Sequence, residues 1–254
     1  MGAGFGNKTT GNLTPVSDKN PIIAKTNTVR LLFSGGALSA SDNSAFYFAM
    51  KNVERDYQND GIPVKSFYLT NGAKSLVATI NSQANSTIQS LDIFCHGGPP
   101  ALFMIYGSST SKSITEAERD KLNLNASLYS GAFIQGVWAW HKHANFDNIS
   151  SIDFSKFTNN AKIEIHGCNT AKGLLGADSI CEDLSEYLYE AGKTKSIVIG
   201  HNTKANPNIN GSKTTIQEQD YRSGERIGYN NGKAVLTTYV TGRISAQSIN
   251  NALK

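Results

Sequence analysis

Two segments of the chain place a reactive side chain next to glycine, directly after an apolar run. One reads Leu91-Asp92-Ile93-Phe94-Cys95-His96-Gly97-Gly98, the other Ile163-Glu164-Ile165-His166-Gly167-Cys168. A thiol beside an imidazole is the minimum for a cysteine nucleophile. The imidazole takes the thiol proton, and as imidazolium it favours the thiolate. It can later protonate a leaving amine. Glycine suits both places. Gly97 has no Cβ to hold a substrate away, and its N–H together with that of Cys168 can bind the oxyanion of a tetrahedral intermediate. Gly167 lets the chain turn sharply before the thiol. All of this requires the two apolar runs to be neighbouring strands that end at one rim.

The rest of the sequence is organised to supply such strands. Short apolar runs at 29–33, 64–69, 91–95, 101–106, 163–165 and 196–199 read as strands. Residues 42–58, 73–84 and 178–191 carry apolar side chains at helical spacing. In the first helix Ala45, Ala49, Val53 and Tyr57 recur every four, and Asn59-Asp60-Gly61 stops it. Between 107 and 160 the pattern is weaker. Thr115-x-x-Glu118 has the form of a capping box, 133–140 is strand or buried loop, and 153–157 is one helical turn. Asn231-Gly232 between strand-like runs signals a β-hairpin. Alternating strands and helices imply an α/β fold, a central mainly parallel sheet with helices on both faces, followed by a C-terminal β-hairpin. Sites in such sheets form at the carboxyl ends of the strands. Residues 1–27, rich in Gly, Asn, Thr and Lys, read as a flexible N-terminal arm or linker, and 28–254 as one domain.

The blocks LDIFCHGGP and KIEIHGCNTAKG, each at a strand end and in this order, resemble the two signature blocks of the caspase-like cysteine peptidases. The resemblance runs from about Val29 to Gly200 and includes ICEDLSEYLYEAGKTKSIVIG. Bacterial members, clostripain-like enzymes and toxin-processing domains, look closer than caspases, because Gly-Cys-Asn-Thr-Ala stands where caspases carry a Gln-Ala-Cys pattern. The resemblance implies a caspase-like three-layer sandwich and endopeptidase activity without metal or organic cofactor. It makes His96 the general base, Cys168 the nucleophile and Gly97 an oxyanion donor. It also implies a specificity pocket set by charge. Asp42 is the acidic candidate for that pocket and would favour Lys or Arg, and the loop after His201 is another wall. The partners expected are a protein or peptide substrate and, for an effector or toxin domain, a dedicated inhibitor or immunity protein. The rival readings are a catalytically silent binding module on the same fold and a thiol hydrolase acting on non-protein amides.

Other candidates are weaker. Cys95 points away from the rim if His96 points toward it, and Cys181 lies on the apolar stripe of its helix. His166 reads as a packed strand histidine. Cys95, His96, His166 and Cys168 lack the tight ligand pairs of a zinc site, and His141-Lys142-His143 reads as a surface loop. Gly35-Gly36 matches no phosphate-binding loop. The chain has 254 residues, 39% hydrophobic and 17% charged, with a net charge of +4 and no run of like charges. A nucleic-acid binder would show a clustered basic stripe. No apolar stretch is long enough to cross a membrane and no signal segment is visible, which leaves a cytoplasmic location or delivery as an effector.

Overall fold

The computed structural model describes residues 27–35, 44–69, 72–104, 127–130, 147–173 and 178–254. In chain order the first elements are β1 (Val29–Ser34), α1 (Ser44–Tyr57), β2 (Val64–Tyr68), α2 (Gly72–Asn81), β3 (Ile88–Phe94), β4 (His96–Gly98) and β5 (Ala101–Phe103). Next come β6 (Leu128–Tyr129), β7 (Asp147–Asn148), β8 (Phe157–Ile165), α3 (Ile180–Glu190), β9 (Ile197–His201), β10 (Arg226–Asn230), β11 (Lys233–Thr238) and α4 (Ala246–Ala252).

Seven strands form the central sheet in the order β11-β10-β9-β8-β3-β1-β2. The contiguous set from β2 to β9 is parallel, and β10 runs against both β9 and β11. Central parallel strands are covered on both faces, which is why β1 is buried along its whole length. Alternation along the strands divides the covering helices. Leu31, Phe33, Leu91, Ile93, Cys95, Ile163, Ile165 and Val198 share one core with Leu76 and Ile80 of α2 and with Ile180, Cys181, Leu184 and Leu188 of α3. Leu32 and Phe94 face the other way, onto Phe46, Ala49, Met50, Val53 and Tyr57 of α1. Ile197 and Ile199, out of phase with Val198, pack with Ile244 and Ile249 of α4.

Several local readings need adjustment. β3 and β8 are longer than the apolar runs at 91–95 and 163–165, because parallel pairing continues through Ser90 and Lys162. His96-Gly97-Gly98, directly after β3, is itself a short strand: as β4 it opens a second sheet, β4-β5-β6-β7. Asn231 and Gly232, with φ of 50° and 69°, join β10 to β11, as a two-residue turn with positive φ does. That antiparallel pair extends the central sheet through β9, and α4 follows it, started by Ser245, whose hydroxyl accepts the Ser248 N–H at 3.1 Å. Asp42, the Thr115 capping box, the run 133–140 and the segment 1–26 of the expected arm lie outside the described residues. Among those described, no helix is long and apolar enough to cross a membrane.

Candidate active site

β3 and β8 are parallel neighbours, with Leu91 opposite Ile163 and Ile93 opposite Ile165. The His166 N–H donates to the Ile93 carbonyl at 2.8 Å and carries the pairing to the strand ends. His96 and Cys168 therefore leave the sheet at the same rim. The two backbones touch there. A Cβ on Gly97 would sit 2.5 Å from Thr170 Cγ2 and 3.1 Å from the Cys168 oxygen, and one on Gly167 would sit 3.1 Å from the Cys95 oxygen and 3.3 Å from Gly97 Cα. Contacts this short leave no room for a side chain, so the glycines allow the histidine and cysteine turns to close on each other.

The turn after β8 is fastened to β9. Asn169 adopts φ 57°, a left-handed conformation that asparagine tolerates. Its N–H donates to the Thr203 oxygen at 2.9 Å, and the Ala171 N–H donates to the His201 oxygen at 3.0 Å. Thr170 Oγ1 donates to the Gly167 oxygen at 3.1 Å and accepts the His201 N–H at 3.3 Å. A thiol on so constrained a turn is held in few conformations.

Cys168 is half-buried, whereas Cys95 and Cys181 are sealed in the core of α2 and α3. Burial pushes both of their thiols up, which suppresses thiolate. Cys168 Sγ lies 3.9 Å from the Ala205 oxygen, against the loop after β9. His96 meets Phe46 of α1 edge to face at 5.0 Å, and Phe46 stacks on Tyr221 at 5.0 Å. Burial in this surround lowers the His96 pKa below its ordinary value. The imidazole is then neutral near pH 7 and can accept a proton.

Behind the rim, on the face that His96 and Cys168 share by alternation, runs a buried ionic ladder. Lys162 Nζ donates to Glu164 Oε2 at 2.5 Å, to Tyr57 Oη at 2.8 Å and to Asp92 Oδ1 at 3.4 Å. Tyr57 donates to Asp92 Oδ2 at 3.0 Å, and Arg226 Nη1 donates to Glu164 Oε1 at 2.5 Å. His166 stacks on Phe94 at 4.1 Å, with Nε2 3.2 Å from Asp92 Oδ1. Burial opposes ionisation of Glu164, but Lys162, His166 and Arg226 outweigh it and hold the carboxyl well below the usual range. Asp92, Glu164 and His166 are close enough together to ligate an ion. Lys162 and Arg226 already neutralise the two carboxylates, so these form ion pairs without a metal.

Sequence reasoning did not find the ladder, Phe46 or Tyr221. The signal for the ladder was present. Ser90 and Asp92 on β3, Lys162 and Glu164 on β8 and His166 just after it fall at every second residue, alternating with apolar neighbours. A cavity ringed by Arg30, Lys162, Lys195 and Arg243 opens at the amino ends of the strands, away from Cys168. No cysteine lines it, and Arg30 and Arg243 are both paired with Asp60. No family model matches the chain, and no curated protein and no solved structure matches it.

Proposed function

We propose that the chain is a cysteine endopeptidase of caspase-like fold, working through His96 and Cys168. The observation that carries this reading is the parallel pairing of β3 with β8, which ends in the contact of Gly97 with the Cys168 turn. His96 takes the thiol proton as Sγ attacks the scissile carbonyl carbon. The carbonyl electrons move to oxygen, where the Gly97 and Cys168 N–H groups stabilise them. Collapse breaks the C–N bond, the amine leaves with the proton from His96, and an acyl-thioester remains on Cys168. Water then attacks the thioester and gives a proton to His96. Collapse releases the acid and the thiolate, which His96 reprotonates. No metal or organic cofactor takes part in this scheme.

The neutral imidazole and the single half-buried thiol support these roles, since a base must begin unprotonated and a nucleophile must be reachable. Phe46, Tyr221 and the Ala205 carbonyl line the described side of the site. Asp42 remains the proposed acidic wall, favouring cleavage after Lys or Arg. Delivery as a bacterial effector or toxin domain accords with this chemistry and would call for a dedicated inhibitor. The test is cleavage of a peptide library by wild type, Cys168→Ala, Cys95→Ala and Cys181→Ala. Activity should vanish in Cys168→Ala alone. Loss in a folded Cys181→Ala protein, with Cys168→Ala active, would move the nucleophile elsewhere. Turnover of small non-peptide amides and not of peptides would reassign the substrate.

A further inference from the structure

On the other side of the sheet, the start of α3 gathers carboxylates with no neutralising cation among the described residues. Asp178, Asp183 and Glu186 each present an oxygen, and these oxygens lie within 4.8 Å of one another. Glu182 is on the same turn, but its carboxylate closes a capping box by accepting the Ser179 N–H at 2.5 Å. Among the described residues no lysine, arginine or histidine forms an ion pair with Asp178, Asp183 or Glu186. Asp183 is only 6% exposed, and its Oδ2 is sealed from solvent with no hydrogen-bond donor. The buried Ser130 hydroxyl beside the carboxylate eases its charge without satisfying that oxygen. Burial and repulsion from Asp178 and Glu182 push the Asp183 carboxyl up, and burial with Asp178 and Asp183 does the same to Glu186. A carboxylate withdrawn from water among like charges calls for a cation.

We propose that Asp178, Asp183 and Glu186 form a calcium-class divalent cation site at the start of α3. The donors are all carboxylate oxygens, which suits a hard cation and disfavours zinc or copper. Oxygens within 4.8 Å of one another can share one coordination sphere, and the variable geometry of Ca²⁺, bound at ~2.3–2.6 Å, suits carboxylates on one helix better than the near-ideal octahedron of Mg²⁺ at ~2.0–2.1 Å. The rest of the structure holds the ligands in place. The Ile180 N–H donates to the Pro99 oxygen at 2.6 Å, which fixes α3 to the turn after β4. The Glu186 carboxylate lies on Gly232, in the turn between β10 and β11. A bound ion would fix Asp178, just before α3, to the helix beside these contacts, and its binding does not depend on the peptidase reading.

The test is calcium titration of the full chain after EDTA treatment, followed by calorimetry and thermal unfolding, with Mg²⁺ in parallel. Wild type should bind one Ca²⁺ saturably and unfold at a higher temperature with it, and respond less to Mg²⁺. Asp183→Asn should weaken Ca²⁺ binding on the order of ten-fold or more, since it removes a charged ligand. In EDTA it should unfold above wild type, because the repulsion is relieved. Asp178→Asn, at an exposed position, tests the same site without disturbing the core. Absence of saturable Ca²⁺ binding by wild type, or binding unchanged in both variants, overturns the site. An equal response to Mg²⁺ overturns its assignment to calcium.

Discussion

Gly97→Ala should damage the junction between the histidine and cysteine turns, and Thr170→Ser should repair part of it. An alanine Cβ at 97 would lie 2.5 Å from Thr170 Cγ2, over an ångström inside ordinary contact. Thr170 cannot swing aside freely, because Oγ1 holds the Gly167 oxygen at 3.1 Å and the His201 N–H at 3.3 Å. Rotation would give up buried hydrogen bonds at about 1 kcal/mol or more each. Staying would cost about 1–3 kcal/mol in overpacking. By either route Gly97→Ala loses about 1–3 kcal/mol of stability. Thr170→Ser deletes the offending methyl and keeps the hydroxyl, at about 1 kcal/mol by itself. The double variant should therefore be more stable than the two single costs imply, by about 1 kcal/mol or more. Rescue stays partial, because the Cys168 oxygen remains 3.1 Å from the new Cβ. Urea unfolding of the four proteins measures the coupling. Additivity within about 0.5 kcal/mol, the usual result for residues not in contact, would refute the packing of the two turns.

Iodoacetamide should label Cys168 in the native protein and all three cysteines after denaturation, since Cys95 and Cys181 are buried with suppressed thiolate. Native labelling at Cys181 would contradict the burial described. Peptide cleavage should hold its kcat/KM to below pH 6.5 on the acid side, because burial lowers the His96 pKa and the base acts unprotonated. An acid-limb midpoint at or above 6.5 would count against His96 as that base. His201 makes the fold acid-sensitive, since burial, with His166 and Arg226 nearby, takes its pKa down to about 3. The unfolded chain protonates near pH 6.5 and the native state does not, so stability is intact above that pH. It falls by up to about 1.4 kcal/mol per unit as pH drops toward the folded value. Between pH 6.5 and 5 the loss is about 2 kcal/mol. His201→Asn should flatten that segment of a stability–pH curve, and parallel curves would refute the assignment.

The parallel core and the meeting of the two chemical segments were legible because they rest on local signals. Apolar runs such as Leu31-Leu32-Phe33 and Ile163-Glu164-Ile165 end at glycine, and parallel strands collect their carboxyl ends on one side. The packing of Cys181 followed from helical spacing alone. What was not legible depends on partners distant in sequence. The Asn231-Gly232 turn announced the β10–β11 hairpin, but β10, which begins with Arg226 and contains Gly228, carries no local sign that it joins the central sheet. It is held by pairing with β9, with Gly228 leaving room for Ile197, whose Cδ1 would stand 2.7 Å from a Cβ there. His96-Gly97-Gly98 has no strand pattern of its own, and its pairing with the three-residue β5 makes it β4. The Phe46–Tyr221 stack on the site unites residues from α1 and from the loop before β10, a pairing no local pattern announces.

Peptide-bond cleavage by Cys168, with His96 as its base, is the proposed activity. A denatured proteome treated with wild type, Cys168→Ala and His96→Ala, followed by mapping of new N-termini, tests it directly. Wild type should generate a set of new N-termini sharing one residue type before the cut, absent from both variants. No new termini with folded wild type, or the same set from Cys168→Ala, would contradict it.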